Sequence, residues 1–223
     1  MYVIFGIIWL ILAFGFYASY RISSNVYLKV FCKKKTNQKI VALTYDDGPS
    51  EYTPALLDLL NKYQVKATFF CVGNAIDGRE SILKRIQKEG HSIGNHTNSH
   101  AGTLPFYLPK KMLRDIELCD EKITRVTNED VRYFRPPFGV TNIHYSLALK
   151  NKKYIIIGWS IRSYDTRGKD PQIIVDRIMR QMHEGAVVLL HDRMPNVCET
   201  TELLLQELIK KGYRLVSMDD FLE

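Results

Sequence analysis

The sequence predicts an α/β fold built on a parallel sheet or barrel. Apolar runs of strand length alternate with amphipathic helical stretches along most of the chain, the pattern of repeated β/α units. Several of these runs, such as Ile155-Ile156-Ile157 and Val187-Val188-Leu189-Leu190, are continuously apolar, as parallel strands covered on both faces are. The third observation is placement. Asp46-Asp47, His96, Arg135, Asp165 and His191 each stand at or just after the carboxyl end of a predicted strand, the rim where such folds assemble their sites.

The elements follow in order. Tyr2 to Tyr20 carries no charge. As a helix it would span about 28 Å at ~1.5 Å per residue, close to a bilayer's hydrocarbon thickness. Tyr2, Tyr17 and Tyr20 suit an interfacial belt. A cleaved signal peptide has a basic start, a shorter apolar core and a small-x-small cut site. Here the first Lys or Arg is Arg21, and the one plausible triplet, Ala13-Phe14-Gly15, lies inside the apolar run. Residues 1–20 are therefore expected to be an uncleaved, single-pass membrane anchor, since a segment apolar on all sides does not suit the core helix of a soluble domain. Residues 21–38 read as a basic linker, and 39–223 as one domain with a full core.

Strands are expected at 40–45, 66–72, 91–95, 131–134, 154–160, 186–191 and 213–217, with helices at 53–63, 79–89, 109–126, 142–152, 171–183 and 199–211. The helix at 53 opens with Thr53-Pro54, a capping residue and a first-turn proline, and Leu56, Leu57, Leu59 and Leu60 form its apolar stripe. Gly90 and Gly212 stand where helices should stop.

Net charge is +7 and the pI is near 9.1. Much of the excess lies in Lys29–Lys39, which suits a membrane-proximal or wall-facing patch. No aromatic-interleaved basic stripe, zinc finger or helix-turn-helix pattern supports nucleic-acid binding. Cys32, Cys71, Cys119 and Cys198 form no Cys-x-x-Cys, so neither a thiolate zinc site nor a disulfide framework is indicated. Nothing in the sequence sets the oligomeric state.

Two clusters carry chemistry. Thr44-Tyr45-Asp46-Asp47-Gly48-Pro49 follows the apolar run Ile40-Val41-Ala42-Leu43 and ends in a turn-forming Gly-Pro. Adjacent aspartates point different ways, so one can bind a metal while the other handles a proton. In Gly94-Asn95-His96-Thr97-Asn98-Ser99-His100 the histidines are four apart, a spacing that lets both imidazoles meet one metal. A carboxylate and two histidines with positions left open is a pattern of hydrolytic metal sites.

With these motifs the chain resembles the polysaccharide deacetylases, the NodB-homology domain of carbohydrate esterase family 4. Thr44–Pro49 and Gly94–His100 look like the first two family motifs, Phe134-Arg135-Pro136-Pro137-Phe138-Gly139 like the third, and Val187–Asp192 like the fifth. The fourth, Trp159–Thr166, is partial: Asp165 fits the acidic position, while Thr166 stands where the family often has tryptophan. The resemblance implies an irregular (β/α)7 barrel, here preceded by the N-terminal transmembrane helix read from the apolar run. It implies metal-dependent N-deacetylation of an N-acetylated sugar polymer or oligomer, peptidoglycan or chitin-like, with release of acetate. Asp47, His96 and His100 are then expected as metal ligands. Zinc is the default, with cobalt, nickel or manganese as alternatives. Asp46 is expected as general base paired with Arg135, and His191 as general acid oriented by Asp165. The backbone N–H of Phe138 is expected at the oxyanion, and Leu189 in the acetyl pocket. His91, His144 and His183 are expected to be structural, and Trp159 to be core. The alternatives are O-acetyl esterase action on a polysaccharide such as xylan, and a catalytically dead glycan-binding module. The lysines after the helix favour a cytoplasmic domain, whereas a wall glycan requires an extracytoplasmic one, the side favoured here.

Overall fold

The computed structural model describes residues 2–168 and 170–223. Its strands are β1 (Val30–Phe31), β2 (Ile40–Asp46), β3 (Thr68–Cys71), β4 (Ser92–Asn95), β5 (Tyr133–Phe134), β6 (Ile155–Ile157), β7 (Ile161–Arg162), β8 (Ala186–His191) and β9 (Arg214–Val216). The helices are α1 (Tyr2–Tyr20), α2 (Thr53–Lys62), α3 (Gly73–Ile76), α4 (Glu80–Lys88), α5 (Pro109–Thr127), α6 (Ile143–Ala148), α7 (Pro171–Arg180), α8 (Val197–Lys210) and α9 (Met218–Leu222). All strand pairs are parallel, in the order β1-β6-β5-β4-β3-β2-β8-β7, with β9 on β2. This is the expected irregular β/α barrel.

The expected strand 154–160 is broken. Pairing with β5 ends at Ile156 and pairing with β1 at Ile157, the chain kinks through Gly158-Trp159-Ser160, and β7 pairs with β8 instead. One covalent segment thus carries the chain from β6, near one end of the strand order, to β7 at the other. The gap beneath the kink is filled by the stretch expected as a linker. There β1 pairs with β6, and Lys33 bridges Ala186 at the start of β8. Ile22 and Val30 are buried in this region. Gly185 has φ +70°, and a Cβ there would lie 2.0 Å from the Lys34 carbonyl oxygen, so only glycine lets the β1 segment approach.

Strand parity sorts the side chains. Val41, Leu43 and Tyr45 of β2 and Ala186, Val188 and Leu190 of β8 belong to the outer core beneath α2, α7 and α8. Ala42 and Val187, with Phe70, Tyr133 and Ile157, fill the barrel interior. Continuing that inner row toward the carboxyl ends brings Thr44 and Asp46 inward on β2, Arg135 after β5, and Leu189 and His191 on β8. At the opposite end, Met218 and Phe221 of α9 pack into the same interior cluster. α1 lies almost wholly exposed along its length. Its C-terminal end meets the rest of the protein, through half-buried Gly15 beside Tyr27, buried Ala18 and the Ser19 carbonyl accepting from Thr141 N–H at 3.0 Å.

Candidate active site

Asp46 ends β2 directly in register with His191 of β8. It is 3% exposed, and Arg135 Nη1 donates to its Oδ1 at 2.7 Å. The guanidinium is fully buried, spread over Phe70 at 4.0 Å from the ring centroid. Its other hydrogens are taken by Thr44 Oγ1 and by the carbonyls of Ile157 and Gly158 at the kink. A buried arginine held by this many acceptors is fixed in direction, and it fixes the orientation of the paired carboxylate. It is not a surface ion pair.

Asp47 turns the other way because its backbone is left-handed, φ 77°. Its Oδ1 lies 3.6 Å from His96 Nε2 and 3.4 Å from His100 Nε2. His96 Nε2 is also 3.6 Å from Asp46 Oδ2. The four-residue histidine spacing works through a loop, not a helix: Thr97 and His100 both have positive φ, and the loop is pinned by Gly73 N–H and Asn74 N–H donating to the carbonyls of Thr97 and Asn98. His96 Nδ1 bonds the Arg135 carbonyl at 2.8 Å. A carbonyl only accepts, so Nδ1 carries the proton and Nε2 presents its lone pair to the cavity. One ligand atom from each of Asp47, His96 and His100 lies within 4.8 Å of the others. Asp47 Oδ1 is buried without a hydrogen-bond partner. An orphaned carboxylate oxygen facing two imidazole nitrogens fits a divalent cation. Burial and the neighbouring His96 push the His100 pKa down, favouring the neutral ligating form. Burial alone would raise the Asp47 carboxyl, but the histidines and Arg193 outweigh it and hold its pKa below the usual range.

Across the cavity His191 Nδ1 bonds Asp165 Oδ1 at 2.8 Å, and His191 N–H donates to Asp165 Oδ2 at 2.7 Å. Burial alone would lower the imidazole pKa, but the Asp165 bond and charge, with Asp46 and Asp47 behind them, raise it above its ordinary value. Ser163 Oγ donates to Asp165, as does Thr166 N–H, so the carboxylate is held on several sides.

A cavity of about 140 Å³ joins these groups, with Leu189 and Phe138 on its wall. Phe138 has φ 62° and its ring centroid is 4.7 Å from that of His100. Trp159 packs against two of the buried clusters, as a core residue does, and past the kink at Gly158 it also lines this cavity. His91 matches its structural reading: it is buried, Nδ1 accepts from Ala67 N–H, and burial pulls its pKa to about 4.

Three contributors escape the sequence reading. Arg193 Nε donates to Asp47 Oδ2 at 2.6 Å, leaving Oδ1 as the free oxygen. Asp192 is 1% exposed, and burial raises its carboxyl to about 7. Its Oδ2 accepts from Thr53 Oγ1, so that hydroxyl ties α2 to the site and does not cap the helix. A Cβ on Gly48 would lie 2.0 Å from Asp192 Oδ2, which is why the Asp-Asp turn needs glycine. Arg162 is the third, on the cavity wall. The signal for the first two was their adjacency to His191.

The family model for polysaccharide deacetylase matches residues 33–156. The chain belongs to that family. A peptidoglycan-N-acetylglucosamine deacetylase of Bacillus cereus is 35% identical over 192 residues, covering 83% of this chain and 89% of the relative. The peptidoglycan-N-acetylmuramic acid deacetylase PdaA of Bacillus subtilis is 31% identical, covering 84% and 73%. Among solved structures, the peptidoglycan deacetylase PdaC of Bacillus subtilis superposes with a TM-score of 0.77 at 31% identity, covering 84% of this chain and 92% of that one. A carbohydrate esterase family 4 pseudoenzyme of Bacillus anthracis superposes at 0.81 with 26% identity, covering 87% and 69%, and so does a mutant of it with restored enzymatic activity, at 28% identity. Polysaccharide deacetylase folds thus occur with and without activity, so the fold alone does not decide the chemistry.

Proposed function

We propose that this polysaccharide deacetylase is a metal-dependent hydrolase that removes N-acetyl groups from an N-acetylated wall glycan, with peptidoglycan as the first substrate class to test. The observation that carries the reading is the convergence on one small cavity of three ligand-type atoms, an arginine-paired carboxylate and an aspartate-held imidazole. The peptidoglycan substrates of its relatives support the glycan class.

Asp47, His96 and His100 would hold the cation, zinc by donor chemistry. When bound, such a cation supplies Lewis-acid chemistry, acidifying water and polarising a carbonyl. Asp46, oriented by Arg135, accepts the proton of the attacking water. Phe138 offers its backbone N–H to the oxygen that gains charge. Leu189 packs the acetyl methyl. His191, with Nδ1 engaged by Asp165, uses Nε2 to protonate the leaving nitrogen as the C–N bond breaks, and an amine leaves poorly without that proton. Acetate and a free amine result.

The domain reading is an anchor at 1–20 followed by the deacetylase domain, which takes in β1 and the buried Ile22 and Val30 of the basic stretch 21–38 as well as residues 39–223. α1 is long and apolar enough to cross a membrane, with 6% of it buried in the protein, and a wall substrate places the domain outside the cytoplasm. The deciding measurement is acetate release by the zinc- or cobalt-loaded full chain from peptidoglycan, chitooligosaccharides and acetylxylan. Release from the N-acetylated substrates supports the reading. Release from acetylxylan alone replaces it with O-acetyl esterase action, and release from none, with no metal bound, makes the chain a binding module.

A further inference from the structure

The catalytic cavity does not end at the metal-ligating residues. Arg162, the last residue of β7, lines it and also lines a second, open cavity of about 360 Å³ that reaches Tyr17, Tyr20 and Arg21 at the foot of α1. Tyr164 and Arg177 lead on to a third cavity of about 210 Å³, walled by Arg167 and Arg180. The guanidinium carbons of Arg162, Arg167 and Arg177 lie 4.9, 4.4 and 4.3 Å from the centroid of the one Tyr164 ring. Arg177 Nε also donates to the Arg162 carbonyl. Among the described residues, none of Arg162, Arg167, Arg177 and Arg180 is ion-paired with a carboxylate. The acids beside them are committed elsewhere: Asp165 to His191, Asp170 to the α7 N-terminus and Asp176 to Gln172.

Three guanidinium groups gathered around one aromatic ring repel one another, and among the described residues no carboxylate pairs with them. Their planar forks suit an anion with several oxygens and more than one negative charge, which describes a phosphate ester better than a single carboxylate. The group must also be joined to the sugar, because Arg162 borders both the reacting cavity and the cluster. We infer that Arg162, Arg167 and Arg177 form a subsite for a phosphate ester carried on the anomeric oxygen of the acetylated saccharide. The nearness of the subsite to the foot of α1 favours a saccharide held at the membrane by a lipid diphosphate over a free sugar phosphate. The inference rests on the deacetylase reading for its substrate but not for its anion site, so the two are tested apart.

The full chain in detergent micelles is first stripped of metal with chelator, so that the Asp47, His96 and His100 atoms hold no cation, and titrated calorimetrically with inorganic pyrophosphate. Saturable binding that weakens about tenfold or more in Arg167→Gln and in Arg167→Gln/Arg177→Gln is expected. Absence of saturable binding up to roughly millimolar pyrophosphate, or binding indifferent to both variants, overturns the subsite whether or not the protein deacetylates anything. The metal-loaded enzyme is then compared on chitotetraose, chitotetraose 1-phosphate and the same tetrasaccharide on a short prenyl diphosphate. The phosphorylated substrates are expected to have KM lower by about 10- to 100-fold, and the double variant to bring the ratio of their kcat/KM to that of chitotetraose close to one. A further gain from the prenyl chain assigns the lipid-linked source, and an equal gain with and without it assigns the free sugar phosphate. An enzyme that deacetylates chitotetraose and its 1-phosphate equally well overturns the proposal. So does a variant that loses the same factor on both.

Discussion

Asp46 and Asp47 are neighbours that face different partners, and substitution separates them. Asp46→Asn should keep the metal while acetate release falls about 10²- to 10⁴-fold, the range for loss of a general base. Asp47→Asn should lose the metal itself. Elemental analysis of dialysed protein beside the activity assay checks both, and equal metal loss would refute the division. Arg193→Gln should lower metal affinity about 10- to 100-fold in chelator competition, since it removes the partner that orients the ligating carboxylate. His191 acts while protonated, and its raised pKa carries the protonated form to higher pH. Asp165→Asn removes the main cause of that rise, so the alkaline limb of the kcat/KM profile should move to lower pH; an unmoved limb would show that another group titrates there. The same shift means the His191–Asp165 pair contributes stability that is complete below the ordinary histidine pKa and is lost as pH rises through the raised one. Asp46, His96, Arg135 and His191 are legible in the sequence because each stands at a strand end, where the inner row of side chains opens onto the cavity. Arg193 is not legible, because its role depends on a contact across 146 positions of chain.

At the scale of elements, the barrel depends on two short pieces that the apolar pattern does not reveal. β1 is two residues long inside a basic stretch, too short for periodicity to register. β7 is hidden because the run from Tyr154 to Ile161 reads as one apolar strand, and only Gly158 marks the change of partner. The longer strands are legible because parallel strands covered on both faces are apolar throughout, as β2 and β8 are. The β1 wedge predicts its own weak point. Gly185→Ala places a methyl against the Lys34 carbonyl at a positive φ and should destabilise the fold by roughly 1–3 kcal/mol. A lower denaturation midpoint with an unchanged denaturant slope would bear this out. An unchanged midpoint would mean that the segment moves aside without loss.

For the whole molecule, the question is how an exposed apolar helix and a closed barrel share one chain. The full chain should fractionate with membranes and resist carbonate extraction. A chain lacking residues 2–14 should be released into the supernatant and remain folded, because the helix first becomes half-buried at Gly15, beside Tyr27. One lacking residues 2–38 should be released but melt at lower temperature, having lost β1 and the buried Ile22 and Val30. Protease added to intact cells should digest the domain if it faces outward, and protection until lysis would place it inside. The apolar helix is legible from length and charge alone. The way its last turn borders a cavity leading to the site is not, because that depends on where Thr141 and Tyr164 come to lie.

Arg135 has a consequence for how this lineage can change. Its side chain caps the carbonyls of Ile157 and Gly158, at the point where one strand gives up its partner and the next begins. A descendant that no longer turned over substrate would still need this arginine to keep its barrel shut. Because this arginine holds the kink as well as Asp46, its presence alone does not separate an intact sheet from an active site. His100, whose side chain ties no two strands together, is free of that constraint and is the residue whose loss would mark the drift of an enzyme into a mere scaffold.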